Sequence, residues 1–144
     1  MMIKEQITDH LKDAMRERNQ LKINTLRGII AEIKKIEIDT RKESDDTVTM
    51  QVLQKEIKKR KEAVEYAKQG NRQDLLDQYQ AEIALVVAYL PEQYSEEKLL
   101  AIMQALIGAG ANNIGAIMGG LNREHKGKFD AKQASEMAKS LLSK

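Results

Sequence analysis

The sequence predicts an all-α protein, and three observations carry that expectation. Apolar residues recur at three- and four-residue intervals in seven separate stretches, no stretch alternates apolar with polar residues as a half-buried strand would, and the single proline, Pro91, stands at the end of a periodic stretch. With only 3% aromatic residues, Leu, Ile, Val, Ala and Met must build the core.

The elements follow in order. Ile3, Ile7, Leu11, Ala14 and Met15 form one stripe with charges on the other face, the pattern of a first helix over residues 3 to 18. Leu21, Ile23, Leu26, Ile30 and Ile33 continue the pattern to Ile38, and DTRKESDDTVT, rich in turn formers and without apolar order, is expected to be a mobile loop. A third helix runs from about Met50 through Leu53, Ile57, Val64 and Ala67. It stops near Gln69, because Gly70 and Asn71 tolerate the left-handed conformation found past helix ends. The fourth carries Leu75, Leu76, Tyr79, Ile83, Val86, Val87 and Leu90 up to Pro91, whose ring disfavours α geometry in the residue before it. Ser95 is a good N-cap with Glu96 and Glu97 complementing the dipole of a fifth helix that runs to about Ile107. Gly108 and Gly110 end it, Asn113 caps a sixth with Ile114, Ile117, Met118 and Leu121, and Asp130 caps a seventh with Ala134, Met137, Ala138 and Leu141. The proline is the best boundary, so residues 1–91 are expected to form a four-helix domain and residues 92–144 a small three-helix domain.

Composition excludes several functional classes. No cysteine means no disulfide, thiolate ligand, iron–sulfur cluster or cysteine nucleophile, which fits a cytoplasmic chain. The longest apolar run, Ile83 to Leu90, is far below the roughly 18 residues of a membrane span, and the acids of MMIKEQITDHLKDAM do not suit a signal peptide. Neither secretion nor a membrane is expected. Net charge is +2, so anion binding must come from a local patch.

Few residues present catalytic patterns. The serines lack a GxSxG context or a poised base, His10 and His125 lack a second ligand at a metal-binding interval, and GAGANNIGAIMGG lacks both the GxGxxG spacing and GK[ST]. No catalytic residue, metal or cofactor is expected. Gly115 and Gly119 instead suggest close packing of the sixth helix on a neighbour. On the third helix, with Leu53 at zero, Ile57 falls at about 40°, Val64 at about 20° and Arg60 at about −20°, inside the apolar stripe. An antiparallel hairpin turning near residue 71 sets Arg60 opposite Glu82, so an inter-helix ion pair is expected, either fixing the hairpin register or touching a ligand. Glu37 lies in the same way on the stripe of the second helix, solvated or paired at the helix end.

Two basic clusters remain, Lys55, Lys58, Lys59, Arg60 and Lys61 on one helix, and Arg123, His125, Lys126, Lys128 and Lys132 after the sixth helix. Charge runs on helices are usually solvated faces. From residue 121 to 144 six Lys or Arg stand against three acids, and a flexible Gly127 lets lysines reach phosphates, so Arg123, Lys126 and Lys128 are the candidate nucleic-acid contacts. Phe129 is the only aromatic nearby in sequence, which disfavours base stacking.

NTLRGIIAEIKKIEID, KEIKKRKEAVEYAKQGNRQDL and AEIALVVAYLPEQYSEEKL together resemble YqeY-type proteins, standalone relatives of the C-terminal tail domain of GatB, the tRNA-binding subunit of glutamine-dependent aminoacyl-tRNA amidotransferases. The resemblance spans nearly the whole chain. It implies two helical domains and tRNA as ligand, with no DNA expected. It also brings the family-level label of carbon–nitrogen ligase with glutamine as amido-N-donor, although the catalytic centres of the amidotransferase lie outside the tail domain. IGAIMGGLNREHKGKFDAKQ departs from the family pattern at Ala116, where a lysine is usual, and at Ala131, where glycine is usual, which thins the phosphate-binding surface. A tRNA-binding accessory protein is the first functional expectation. The alternative is a protein-interaction module docking on amidotransferase subunits or another enzyme, suggested by low net charge and by Met103, Met118 and Met137.

Overall fold

The computed structural model describes residues 2–143. Seven α-helices make up the regular structure of these residues: α1 (Ile3–Glu17), α2 (Gln20–Thr40), α3 (Asp46–Gln69), α4 (Gln73–Val87), α5 (Glu96–Gly108), α6 (Ile114–Glu124) and α7 (Ala131–Leu142). The chain divides between Leu90 and Pro91 into two compact units.

Within the first unit α3 and α4 form a hairpin, α1 pairs with α2, and α2 packs on both α3 and α4. Its core is Ile7, Leu26, Ile29, Ile33, Val52, Leu53, Ile57 and Val86, with Ile3, Leu11 and Ile83 half-buried around them. Thus the stripes of α1 to α3 face inward as their spacing implies, whereas Met15 is half exposed and Val87 projects outward. Polar caps hold the starts: the Asn19 side chain accepts from Lys22 N–H, and that of Asp45 from Val48 N–H. At the hairpin tip Asn71, rather than Gly70, takes the left-handed conformation, at φ 54°.

The segment 39–49 is not the loop its composition suggests. α2 continues to Thr40 and α3 begins at Asp46, leaving only a short connection in which Ser44 is buried. Tertiary contacts override the poor helix propensity of DTVT: Asp46 Oδ1 accepts Ile3 N–H at 2.9 Å, and Thr49 is fully buried with its hydroxyl donating to Asp45 O. Glu37 joins these parts. Its Oε2 accepts from Lys4 Nζ at 2.7 Å and from Ser44 N–H at 2.8 Å, and these bonds, the lysine first, hold its pKa below the ordinary glutamate range.

Asp74 is lowered further, to about 2, chiefly by the bidentate hydrogen bond of Arg72 at 2.9 and 3.1 Å. Because both carboxyls favour the ionised form in the fold, the stability they contribute is complete above the unfolded carboxyl range near pH ~4 and is lost as pH falls through the folded values. Denaturant midpoints therefore fall between about pH 4 and about pH 2, and the fall is shallower in an E37Q/D74N variant. Identical acid limbs for the two proteins contradict this.

In the second unit α5, α6 and α7 pack in all three pairings around Leu99, Met103, Ile117, Leu121, Phe129, Ala134 and Ala138. Ser95, Asn113 and Asp130 cap the three helices through their side chains. The close-packing glycine of α6 is Gly120, not Gly115 or Gly119. A Cβ there would lie 2.8 Å from a Leu106 methyl, while Gly119 meets nothing within 4 Å and Gly115 only its own cap, Asn113. Gly115 and Gly119 lie on the solvent face of α6, one position round from the buried side.

Candidate nucleic-acid interface

The segment from Glu124 to Asp130 joins α6 to α7. Its C-terminal end is fixed, since Phe129 is buried in the unit's core and Asp130 caps α7. Ahead of them Gly127 adopts φ 80°, a conformation that favours glycine, and Lys128 N–H donates to His125 O at 3.1 Å.

A second segment pins this loop. Gln93 Nε2 donates to Gly127 O at 2.6 Å and to Pro91 O at 2.9 Å, and Tyr94 N–H donates to Lys128 O at 2.8 Å. The Tyr94 hydroxyl lies 2.6 Å from His125 Nδ1, with the two rings edge to face at 5.3 Å. The loop is therefore held in one shape instead of flexing about Gly127, and His125 is half-buried in this contact.

The candidate residues fall on this frame as follows. Arg123, in the last turn of α6, and Lys126 are exposed, and Lys128 is half-buried with its ammonium 5.8 Å from the Tyr94 ring centre. Lys98, on the first turn of α5, places its ammonium 4.4 Å from the same centre. Tyr94 and Lys98 carry no sequence signal linking them to the loop, because some thirty residues separate them from it. Phe129, the aromatic nearest the lysines in sequence, is in the core and presents no face to a base, while Tyr94 lies against the loop.

Arg60 and Glu82 belong to the first unit. Arg60 Nε donates to Glu82 Oε1 at 3.0 Å, its Nη1 is bonded to Glu56, and Gln78 donates to the other Glu82 oxygen at 3.0 Å. Burial opposes the charge on Arg60 most strongly, but hydrogen bonds and attraction from Glu56 and Glu82 outweigh it and raise its pKa. Glu56, four residues before Arg60, is the partner that an i, i+4 search reveals. The pair borders a cleft of about 590 Å³ that also exposes Asn24, Asp74 and Asp77. With Arg60 engaged by two carboxylates and two aspartates nearby, the cleft does not suit a phosphate.

Among the described residues no group of three or more His, Asp or Glu is placed to hold a metal ion, and no helix is long and apolar enough to cross a membrane. Residues 4–142 match the family described as Yqey-like protein. The chain belongs to the YqeY-like family. The family's relatives include the "Altered inheritance of mitochondria protein 41, mitochondrial" of Pyrenophora tritici-repentis, 29% identical over 82% of this chain and 68% of that protein. An uncharacterized protein of Schizosaccharomyces pombe is 32% identical over 62% of this chain and 72% of its own length. The Meyerozyma guilliermondii protein with the same "Altered inheritance of mitochondria" name is 41% identical, over 56% of this chain and 42% of its own length. The matched stretches thus span more than half of this YqeY-like chain in all three, but less than half of the third protein's own length.

Proposed function

We propose that this YqeY-like protein is an RNA-binding accessory module whose ligand is tRNA and whose contact surface is the basic loop between α6 and α7. The observation that carries the reading is the pinning of that loop by Gln93 and Tyr94, with Arg123 and Lys126 left exposed. A held loop loses less conformational entropy when it binds a phosphate backbone than a free one does. The chain supplies recognition, and any glutamine-dependent carbon–nitrogen ligase chemistry belongs to amidotransferase subunits with which it acts. Its lack of cysteine supports a reducing compartment, the cytoplasm being the one proposed.

The test is a titration of the purified chain against total tRNA, with an unrelated RNA hairpin as competitor, at low and near-physiological salt. Binding prefers tRNA and weakens linearly in log salt; K126E/K128E weakens it about tenfold or more and lowers the salt slope by about two. Equal affinity for the hairpin, or unchanged binding by K126E/K128E, defeats the reading and turns attention to a protein partner such as an amidotransferase subunit.

A further inference from the structure

We infer that Lys98 of α5 and Lys128 of the α6–α7 loop act as one phosphate-contacting pair, and that Tyr94 is the residue that positions them. The inference rests on the RNA-binding reading above and carries its surface onto a helix that the basic loop does not include.

Three features of the second unit lead to it. First, both ammonium groups lie within the roughly 6 Å over which a cation is drawn to an aromatic ring, at 4.4 Å for Lys98 and 5.8 Å for Lys128. Sharing one ring keeps them no more than roughly 10 Å apart, about a Debye length at 0.1 M salt, so each feels the other's charge. Neither takes part in an ion pair among the described residues. Two cations held together without a carboxylate partner gain from an anion that binds both.

Second, the ring that gathers them is fixed independently of either lysine side chain. The Tyr94 N–H is bonded to Lys128 O, its hydroxyl to His125, and the next residue, Ser95, caps α5 by accepting Lys98 N–H at 3.1 Å. Through these bonds Tyr94 holds the backbone of Lys128, and its neighbour Ser95 that of Lys98. Long, freely rotating side chains lose entropy when they grip a ligand, and a ring that already restricts them lowers that cost.

Third, Lys98 occupies the first turn of α5, where the helix dipole disfavours a cation. Glu96 and Glu97 of that turn line a groove with Met137, Ser140 and Leu141 of α7, while Lys98 lies over Tyr94. The acids and the lysine of one helical turn are thereby divided between two surfaces, and the one bearing Tyr94 gathers Lys98 and Lys128, with the Glu124 carboxylate 3.9 Å from His125 at its edge.

The experiment has two arms on the full-length chain. In the first, tRNA affinity is measured across salt for wild type, K98E, K98R, K128E and K126E/K128E. K98E weakens binding about fivefold near physiological salt and lowers the salt slope by about one, as K128E does, whereas K98R, which keeps the charge, binds as wild type. In the second, without RNA, the Hε protons of Lys98 and Lys128 are followed by NMR; the Tyr94 ring shifts them upfield, and the shift disappears in Y94L. If K126E/K128E loses affinity while K98E keeps wild-type affinity and slope, Lys98 lies outside the surface and this inference falls alone. If wild type shows no preference for tRNA, the underlying reading falls and takes the phosphate role with it. Absence of upfield shifts in the wild-type chain overturns the positioning role of Tyr94 whatever the RNA arm shows.

Discussion

Replacing Arg60 by methionine destabilises the first unit by about 3 kcal/mol and lowers its melting temperature by roughly 10–20 °C. Side-chain exposure at this site is 15% for Arg60, 15% for Glu56 and 12% for Glu82, so the guanidinium is the counter-charge for two carboxylates with little access to water. Methionine keeps the packing of the arginine stem but strands both acids, and an uncompensated charge in a poorly hydrated site costs several kcal/mol. The cost lies in the stranding more than in the lost attraction. Accordingly a triple variant, R60M/E56Q/E82L, regains most of the stability, because exchanging a whole buried ion group for groups of similar volume is often close to neutral. Denaturant titrations of the two variants check this. A loss below about 1 kcal/mol for R60M, or a triple variant no better than the single, would show that water reaches the site.

Phe129→Ala is expected to abolish ordered packing of the second unit and, on the function proposed above, tRNA binding with it. The side chain is 6% exposed and packs among Leu99, Met103, Ile117 and Leu121. Truncating a buried phenylalanine costs about 3–5 kcal/mol, whereas a unit of about 50 residues at roughly 0.05–0.15 kcal/mol per residue holds only about 3–8 kcal/mol in all. Two of its core positions are the small residues Ala134 and Ala138, whose side chains cannot reach into the hole. Phe129 also ends the basic loop, and its burial fixes where Lys128 emerges. F129L, closer in volume, loses under about 1.5 kcal/mol and keeps binding. Methyl NMR spectra of Leu99, Ile117 and Leu121, recorded beside the tRNA titration, report both effects. Native dispersion and full affinity in F129A would mean that the aromatic ring is not the keystone of this core.

Much of the fold was legible because its signals are local. Apolar spacing of three and four residues, caps such as Asn113 and Asp130, and the proline after α4 each act within one or two helical turns, so they mark seven helices without any knowledge of what packs on what. The position of Arg60 in the stripe of α3 follows from the same periodicity. The start of α3 was illegible because Asp46 and Thr49 owe their helical state to Ile3 and to burial, which lie beyond their sequence neighbourhood.

By itself, then, the sequence determined an all-α chain of seven helices, its YqeY-like family, and a local excess of positive charge after α6. Only the tertiary structure decided the company those charges keep. It buried Phe129, left Gly119 exposed while setting Gly120 against Leu106, and brought Tyr94, His125 and Lys98 to the loop. The physical reason is range: helix formation is decided between residues three or four apart, whereas the Tyr94–His125 contact joins positions 31 residues apart. Such a contact exists only after α5, α6 and α7 have packed, and no periodicity along the chain records it.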